Sequence, residues 1–345
     1  MKVYKYYYNL LSAERQSVYK ALYNGLRAHS RYIDIGAVDI DAVDIGQVMQ
    51  YVSLDNPLFF YVDFRKITVR EFSAVPNFGG MRAHVGSKYQ LIPKYTYSRA
   101  EVTKLNADME VALNKIVAAI KGGRDYSKAL RAHDILARAV KYDTVALTNN
   151  LANYKRTNTV VGALLDKKAV CEGIAKAYKL VLDALDIPCV VVTGATSDEN
   201  LFGDAEHGWN VVYADNAYFH VDLTGDVCGT TRGNICRSYF GLSDRQISVD
   251  HRPSADAPKC TTEGCDFYTK AGLVAQSQAD VKRIVQEAVA RNDRKATMRM
   301  PNNCFADNNQ LLEFVQKILA QSVKGVCRVE CSVNQKFGVY TFSWK

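Results

Sequence analysis

"DKKAVCEGIAKAY", residues 166–178, sets a cysteine at the join between two patterns. Ahead of Cys171 stands a short polar stretch, Asp166-Lys167-Lys168. Behind it Ala175, Tyr178, Leu182 and Leu185 recur at three- and four-residue steps, which predicts a helix with one buried face. Cys171 then falls in the first turn of that helix. A thiol there has two readings. It is a small apolar core residue, or it is a nucleophile facing the unpaired N–H groups and positive dipole end of the helix, both of which favour a thiolate.

A nucleophilic thiol needs a base, and the base needs an orienter. The chain that follows offers both. "IPCVVVTGAT" (187–196) reads as a short buried strand after Pro188, in which Cys189 is structural. A polar stretch, "SDENLFGDAE" (197–206), leads to "HGWNVVYADNAYFHVDLTGD" (207–226). There Val211, Tyr213, Phe219 and Val221 mark a β-hairpin that turns near Ala214 to Asn216. His207 opens the first strand and Asp222 lies near the end of the second. Parity decides whether they meet. A two-residue turn at Ala214-Asp215 puts Asp222 opposite His207. A turn at Asp215-Asn216 puts it opposite Trp209, one diagonal step away on the same face. A three-residue turn without a bulge puts the two on opposite faces.

The expected chemistry follows. His207 takes the Cys171 proton, Asp222 fixes the imidazole tautomer and stabilises its charge, and the thiolate attacks an amide carbonyl to form a thioester. The backbone N–H of Cys171 donates to the oxyanion. Trp209 and Asn210, beside His207, are expected to support the site. No metal and no cofactor is expected.

The flanks read as further units. In residues 1–98, "LSAERQSVYKALYNGLRAH" is a helix capped by Ser12, with Val18, Leu22 and Leu26 on one face. "DIGAVDIDAVDIGQVMQYV" reads as a strand and then a helix capped by Asp44; its aspartates lack the spacing of a calcium-binding EF-hand. "PLFFYV", "KITVREF" and "KYQLIPKYTY" read as strands. Residues 99–250 form the expected core. It opens with a helix closed by Gly122-Gly123 and a second capped by Asp125, whose His133 shares an apolar face with Leu130, Leu136 and Ala137. Residues 251–345 read as a small α/β appendage with helices near 277–291 and 307–321 and three strands. Cys260 and Cys265 suit either half of a zinc site or a loop disulfide.

With 345 residues the chain is too long for one ordinary core. Its 48% hydrophobic content and seven prolines are those of a globular protein, and no apolar run is long enough to span a bilayer. The net charge of +8 is spread along the chain, with no Lys/Arg block interleaved with aromatics, which argues against a nucleic-acid partner. The nine cysteines are not laid out as a small disulfide framework. No apolar leader opens the chain, so a cytoplasmic location is expected, or an extracellular or cell-surface one if a leader has been trimmed.

"AVCEGIAKAYKLVLDALDIPCVVVTG" (169–194) followed by "HGWNVVYADNAYFHVDLT" (207–224) resembles the core of the transglutaminase-like superfamily, in its bacterial branch. "AHDILARAVKYD" before it and "YFGLSDRQISVDH" after it extend the resemblance over about residues 125–251. It implies an α+β, papain-like core, with the nucleophile helix packed on an antiparallel sheet. An N-terminal α/β unit and the C-terminal appendage flank it. It also implies a Cys171–His207–Asp222 triad acting on a peptide or protein. Departures accompany it. Animal transglutaminases carry a tryptophan upstream of the cysteine that serves the oxyanion hole, and here the tryptophans are Trp209 and Trp344. Leu165 stands where papain-type enzymes have a glutamine. Tyr142, Asn153 and Tyr154 are therefore candidates for the second oxyanion donor. Gly225 replaces the aromatic residue that usually follows the D-x-T of bacterial relatives. The expected function is a cysteine peptidase or amidase. The alternatives are a transglutaminase, a non-catalytic peptide-binding scaffold, and a redox-sensing thiol.

Overall fold

The computed structural model describes residues 3–39, 43–72, 88–146, 155–197, 205–231, 233–302, 304–323, 325 and 328–345. At the N-terminus, helices Tyr6–Leu10, Ala13–Arg27 and Ile45–Asp55 accompany a three-stranded antiparallel sheet. Its strands are β1 (Ile33–Gly36), β2 (Thr68–Phe72) and β3 (Lys88–Ile92), in the order β1-β3-β2. Ser12 and Asp44 cap their helices through the N–H groups of Arg15 and Gln47. The strand expected over "PLFFYV" does not form. Residues 57–62 turn instead, with Phe59 N–H donating to Asn56 O and Val62 N–H to Phe59 O, and only Val62 bridges, to Tyr95. Phe59, Phe60, Tyr61 and Val62 are all buried. A continuous apolar run has no period, so it reads alike as a strand or as a buried turn.

Two long helices follow, Arg99–Ala119 and Asp125–Ala139. Ser98 and Glu101 form a capping box on the first. Asp125 is not the cap of the second: Arg124 holds that position, and the Asp125 carboxylate bonds Lys128 at 3.0 Å inside the first turn. A short parallel pair, β4 (Lys141–Tyr142) and β5 (Lys168–Ala169), then fixes the chain just ahead of Cys171.

The central layer is a five-stranded antiparallel sheet of β6 (Cys189–Thr196), β7 (Ala205–Ala214), β8 (Ala217–Val221), β9 (Phe240–Leu242) and β10 (His251–Pro253), in the order β10-β6-β7-β8-β9. The helix Cys171–Ala184 packs on it, with eleven consecutive residues from Gly173 to Asp183 buried. The β7–β8 register pairs Ala214 with Ala217 and Asn210 with Val221. The turn is therefore Asp215-Asn216, and both residues have positive φ, 50° and 66°. That is the two-residue geometry that matches strand twist.

One cluster of buried apolar residues runs from Tyr7 to Cys265 and joins the N-terminal helices to the central sheet. Tyr7 Oη donates to Val191 O at 2.9 Å across that junction. A second cluster lies under helices Gln278–Ala290 and Asn308–Ser322 and the antiparallel sheet β11 (Lys295–Arg299), β12 (Val329–Asn334) and β13 (Val339–Trp344), ordered β11-β13-β12. Tyr239, Leu242 and Ile247 form a third small cluster, against which Phe337 of the β12–β13 turn packs. Among the described residues, no helix is long and apolar enough to cross a membrane.

Candidate active site

Cys171 is the first residue of its helix. Val170 occupies the N-cap in an extended conformation, and no side chain caps this end. Val170 is itself held by its N–H, which donates to Thr157 O at 2.9 Å. The glycine of C-E-G is a close-approach residue: a Cβ on Gly173 would lie 2.4 Å from Thr157 O, inside contact distance. Glu172 is held on its flank by Asn158 Nδ2 and Lys176 Nζ, each at 2.6 Å.

The structure brings Cys171, His207 and Asp222 together. His207 Nε2 lies 3.0 Å from Asp222 Oδ2. With Nε2 taken by Asp222, Nδ1 is the nitrogen left for the Cys171 thiol, which lines the same cleft as His207. Burial alone would lower the His207 pKa. The Asp222 charge and hydrogen bond, with a smaller contribution from Cys171, override it and push the ring up to about 10. Burial alone would likewise raise Asp222, but the adjacent His207 and His251 hold its carboxyl far below the usual range. Asp222 also caps the helix Leu223–Gly229, its Oδ1 accepting from Thr224 N–H at 2.9 Å. Gly225, three residues on, leaves room for the Tyr239 ring, which a Cβ there would meet at 2.7 Å.

Trp209 lies flat beside His207, with centroids 5.8 Å apart and planes 19° from parallel. Its Nε1 donates to His220 Nδ1 at 3.0 Å. An indole nitrogen only donates, so His220 carries its proton on Nε2, and that N–H donates to Asp244 Oδ1 at 2.9 Å. Burial, outweighing Asp244, lowers the His220 pKa. Asn210 hydrogen-bonds to neither His207 nor Asp222. Its Nδ2 donates to Ala175 O at 3.0 Å and so ties β7 to the Cys171 helix. His133 is a satisfied core residue between Asp226 Oδ2, at 3.0 Å, and Asp134 Oδ1, at 3.2 Å. Cys189 is fully buried, and burial pushes its thiol well up. Cys260 and Cys265 are free and buried.

One residue at the site escaped the sequence reading. His251 Nε2 lies 3.3 Å from the same Asp222 Oδ2 that His207 contacts. The Asp250-His251 doublet after the hairpin was visible, but nothing local joins it to a carboxylate 29 positions away. His207, Asp222 and His251 bring three metal-ligand atoms within 4.8 Å of one another, as do His220, Asp244 and Cys260. In these groups His207 Nε2 and both nitrogens of His251 already hydrogen-bond to carboxylates, and those of His220 to the Trp209 indole and Asp244.

Cys171 and His207 lie in a cleft of ≈ 740 Å³. Glu172, Thr193 and Glu206 flank them, and Met49, Gln50 and Arg65 of the N-terminal unit form the facing wall. Tyr142 lies in β4 and is not among the described residues lining that cleft; Asn153 and Tyr154 lie outside the described residues.

Residues 114–223 match the model of the transglutaminase-like superfamily, a span that contains Cys171, His207 and Asp222. The chain thus carries a transglutaminase-like domain. None of the curated proteins matches the sequence. Among solved structures, a TGase is similar at 16% identity over 50% of this chain and 47% of its own, with a TM-score of 0.31. A candidate cysteine protease from Cytophaga hutchinsonii is similar at 16% identity over 46% of this chain and 62% of its own, TM-score 0.27. A candidate protease from Parabacteroides distasonis is similar at 14% identity over 45% and 35%, TM-score 0.25. The chain thus spans less than two thirds of each, and at these scores none assigns a role to a residue here.

Proposed function

We propose that this transglutaminase-like domain is a cysteine peptidase or amidase that works through a thioester on Cys171. The observation that carries the reading is that His207, bonded to the buried Asp222, shares an open cleft with Cys171, whose thiol stands at an uncapped helix start.

The steps follow from the groups. The Cys171 proton passes to Nδ1 of His207, and the sulfur attacks the carbonyl carbon of a bound amide. The tetrahedral oxyanion accepts the backbone N–H of Cys171. The C–N bond breaks as His207 returns its proton to the leaving amine. A water then attacks the thioester, giving its proton to His207, and the freed thiolate recovers it. Asp222 forms and breaks no bond; it holds the ring and balances its charge. Trp209 limits the tilt of the ring from one side.

The test is to incubate the protein with a peptide mixture, with and without a primary amine, and to read the products by mass. New carboxyl termini, or glutamine converted to glutamate, are expected from the wild type and absent from Cys171→Ala. Products that instead carry the added amine would reassign the domain to acyl transfer. Absence of both, with Cys171 unreactive toward a thiol-directed probe, would leave a binding module.

A further inference from the structure

Asp222 serves two histidines, and the second takes no part in the steps above. His251 opens β10, paired with Thr196 of β6. Its ring lies between two carboxylates, with Nε2 3.3 Å from Asp222 Oδ2 and Nδ1 2.5 Å from Asp250 Oδ1. Ionised carboxylates only accept hydrogen bonds, so both nitrogens donate and the ring is an imidazolium. The second oxygen of Asp250 accepts from Tyr239 Oη at 2.6 Å and pairs with Lys336 Nζ at 2.9 Å. The signs alternate along the row from His207 through Asp222, His251 and Asp250 to Lys336.

Lys336 belongs to a different part of the fold. It sits in the turn between β12 and β13 of the C-terminal unit. That turn is seated by contacts of its own. Phe337 meets the Tyr239 ring at 4.6 Å with the planes 75° apart, and Asn334 Nδ2 donates to Ser238 Oγ at 3.5 Å. Gly338 has φ +60°, and a Cβ there would lie 2.5 Å from Met300 O, so the turn closes tightly on its own sheet. Lys336 thus reaches Asp250 from an independently docked turn.

We propose that His251 is a positioning residue for Asp222, and that Lys336 of the C-terminal unit keeps it in place through Asp250. The inference rests on the reading of Asp222 as the orienter of His207. Three donors fix the Asp222 carboxylate: Thr224 N–H on Oδ1, and the two imidazoles on Oδ2. Without Lys336, Asp250 keeps His251 and Tyr239 as partners and has only His251 to offset its buried charge. His251 is then drawn towards Asp250, and Asp222 loses its hold on the far side. The groups facing His251 are Asp222, Asp250, His207, Trp209 and Tyr239, with His220 near enough to act through its charge.

The experiment uses the full chain and the variants Lys336→Met, Lys336→Arg and His251→Gln. Lys336 is partly exposed, so its loss leaves the core packing unchanged. In Lys336→Met, kcat on a cleaved peptide is expected to fall roughly tenfold, less than the ~100-fold of a 1 Å misplacement, with KM within about twofold of wild type. Removing a cation from the row also moves the ring titrations of His251 and His207 to higher pH, read by NMR on histidine-labelled protein. Lys336→Arg restores both readings, and His251→Gln reproduces the loss in kcat. A merely structural role would lower Tm and leave the titrations where they were. A folded Lys336→Met with wild-type kcat and unmoved His207 and His251 titrations overturns the proposal. If the wild type cleaves no peptide, the NMR readings still decide: a moved His207 titration supports the coupling, and the catalytic reading alone falls.

Discussion

Asp222 Oδ2 stands 3.0 Å from Nε2 of His207, and both side chains are buried. Such a pair makes stability depend on pH with a definite sign. His207 is raised from 6.5 to about 10, so its contribution is complete below 6.5 and fades as pH rises through about 10. Asp222 is depressed from 3.8, so its contribution is complete above 3.8 and fades only as pH falls through the lowered value. Asp222→Asn is expected to cost most stability between about pH 4 and pH 6.5, and progressively less toward about pH 10. Urea unfolding of both proteins across that range checks it; a difference constant with pH would contradict the pairing.

The same variant should keep part of its activity. Loss of the matching carboxylate in a serine triad costs about 10⁴ in rate. Here the thiol stands at a helix start in the same cleft as His207, so the fall in kcat is expected to be smaller, while Cys171→Ala and His207→Ala abolish turnover and leave the protein folded. Steady-state kinetics and circular dichroism on the three variants make the comparison. Equal losses in all three would remove Asp222 from an orienting role.

The thiols should separate by exposure. Iodoacetamide on the native protein is expected to label the half-buried Cys171 and spare Cys189, which is buried in β6 beside Asn210. Peptide mapping before and after denaturation reads the difference. Cys189 reacting as fast as Cys171 in the folded protein would break this ranking.

Gly173→Ala tests the seat of the Cys171 helix. Alanine is the better helix former by about 1 kcal/mol. Its methyl, however, would lie 2.4 Å from the Thr157 carbonyl, which is backbone and has nowhere to turn. Overpacking of that kind costs about 1–3 kcal/mol. A net loss in stability is expected, with a fall in kcat as the helix start shifts. A Tm at or above wild type would show that the contact relaxes freely.

Trp209→Phe keeps the stacking face and deletes one donor. His220 Nδ1 would then be buried without the indole N–H, at a cost of about 1–3 kcal/mol. The Tm is expected to fall, with kcat affected less than in Asp222→Asn. Denaturant titration and kinetics on the same preparation separate the two effects.

What the sequence determined by itself was local. The helix at Cys171 follows from three- and four-residue apolar spacing, and the hairpin follows from alternation around Asp215-Asn216. Once that turn has two residues, period-two alternation alone puts His207 and Asp222 one diagonal step apart on one face. The superfamily is legible for the same reason, because its motifs lie on contiguous stretches. "PLFFYV" misled because a buried run without period carries no mark of strand or turn.

Only the tertiary structure decided the rest. The facing wall of the cleft comes from Met49, Gln50 and Arg65, far ahead of Cys171 in the chain. Gly173 is needed because Thr157 crosses it, and Asn210 turns to Ala175 rather than to His207. The second histidine on Asp222 and the lysine behind it are joined by chain separations of 29 and 86 residues. Periodicity reports which face of an element is apolar. It is silent on which buried charges meet, because that depends on how separate elements pack, and there each carboxylate takes whichever donors the packed core brings within hydrogen-bond reach.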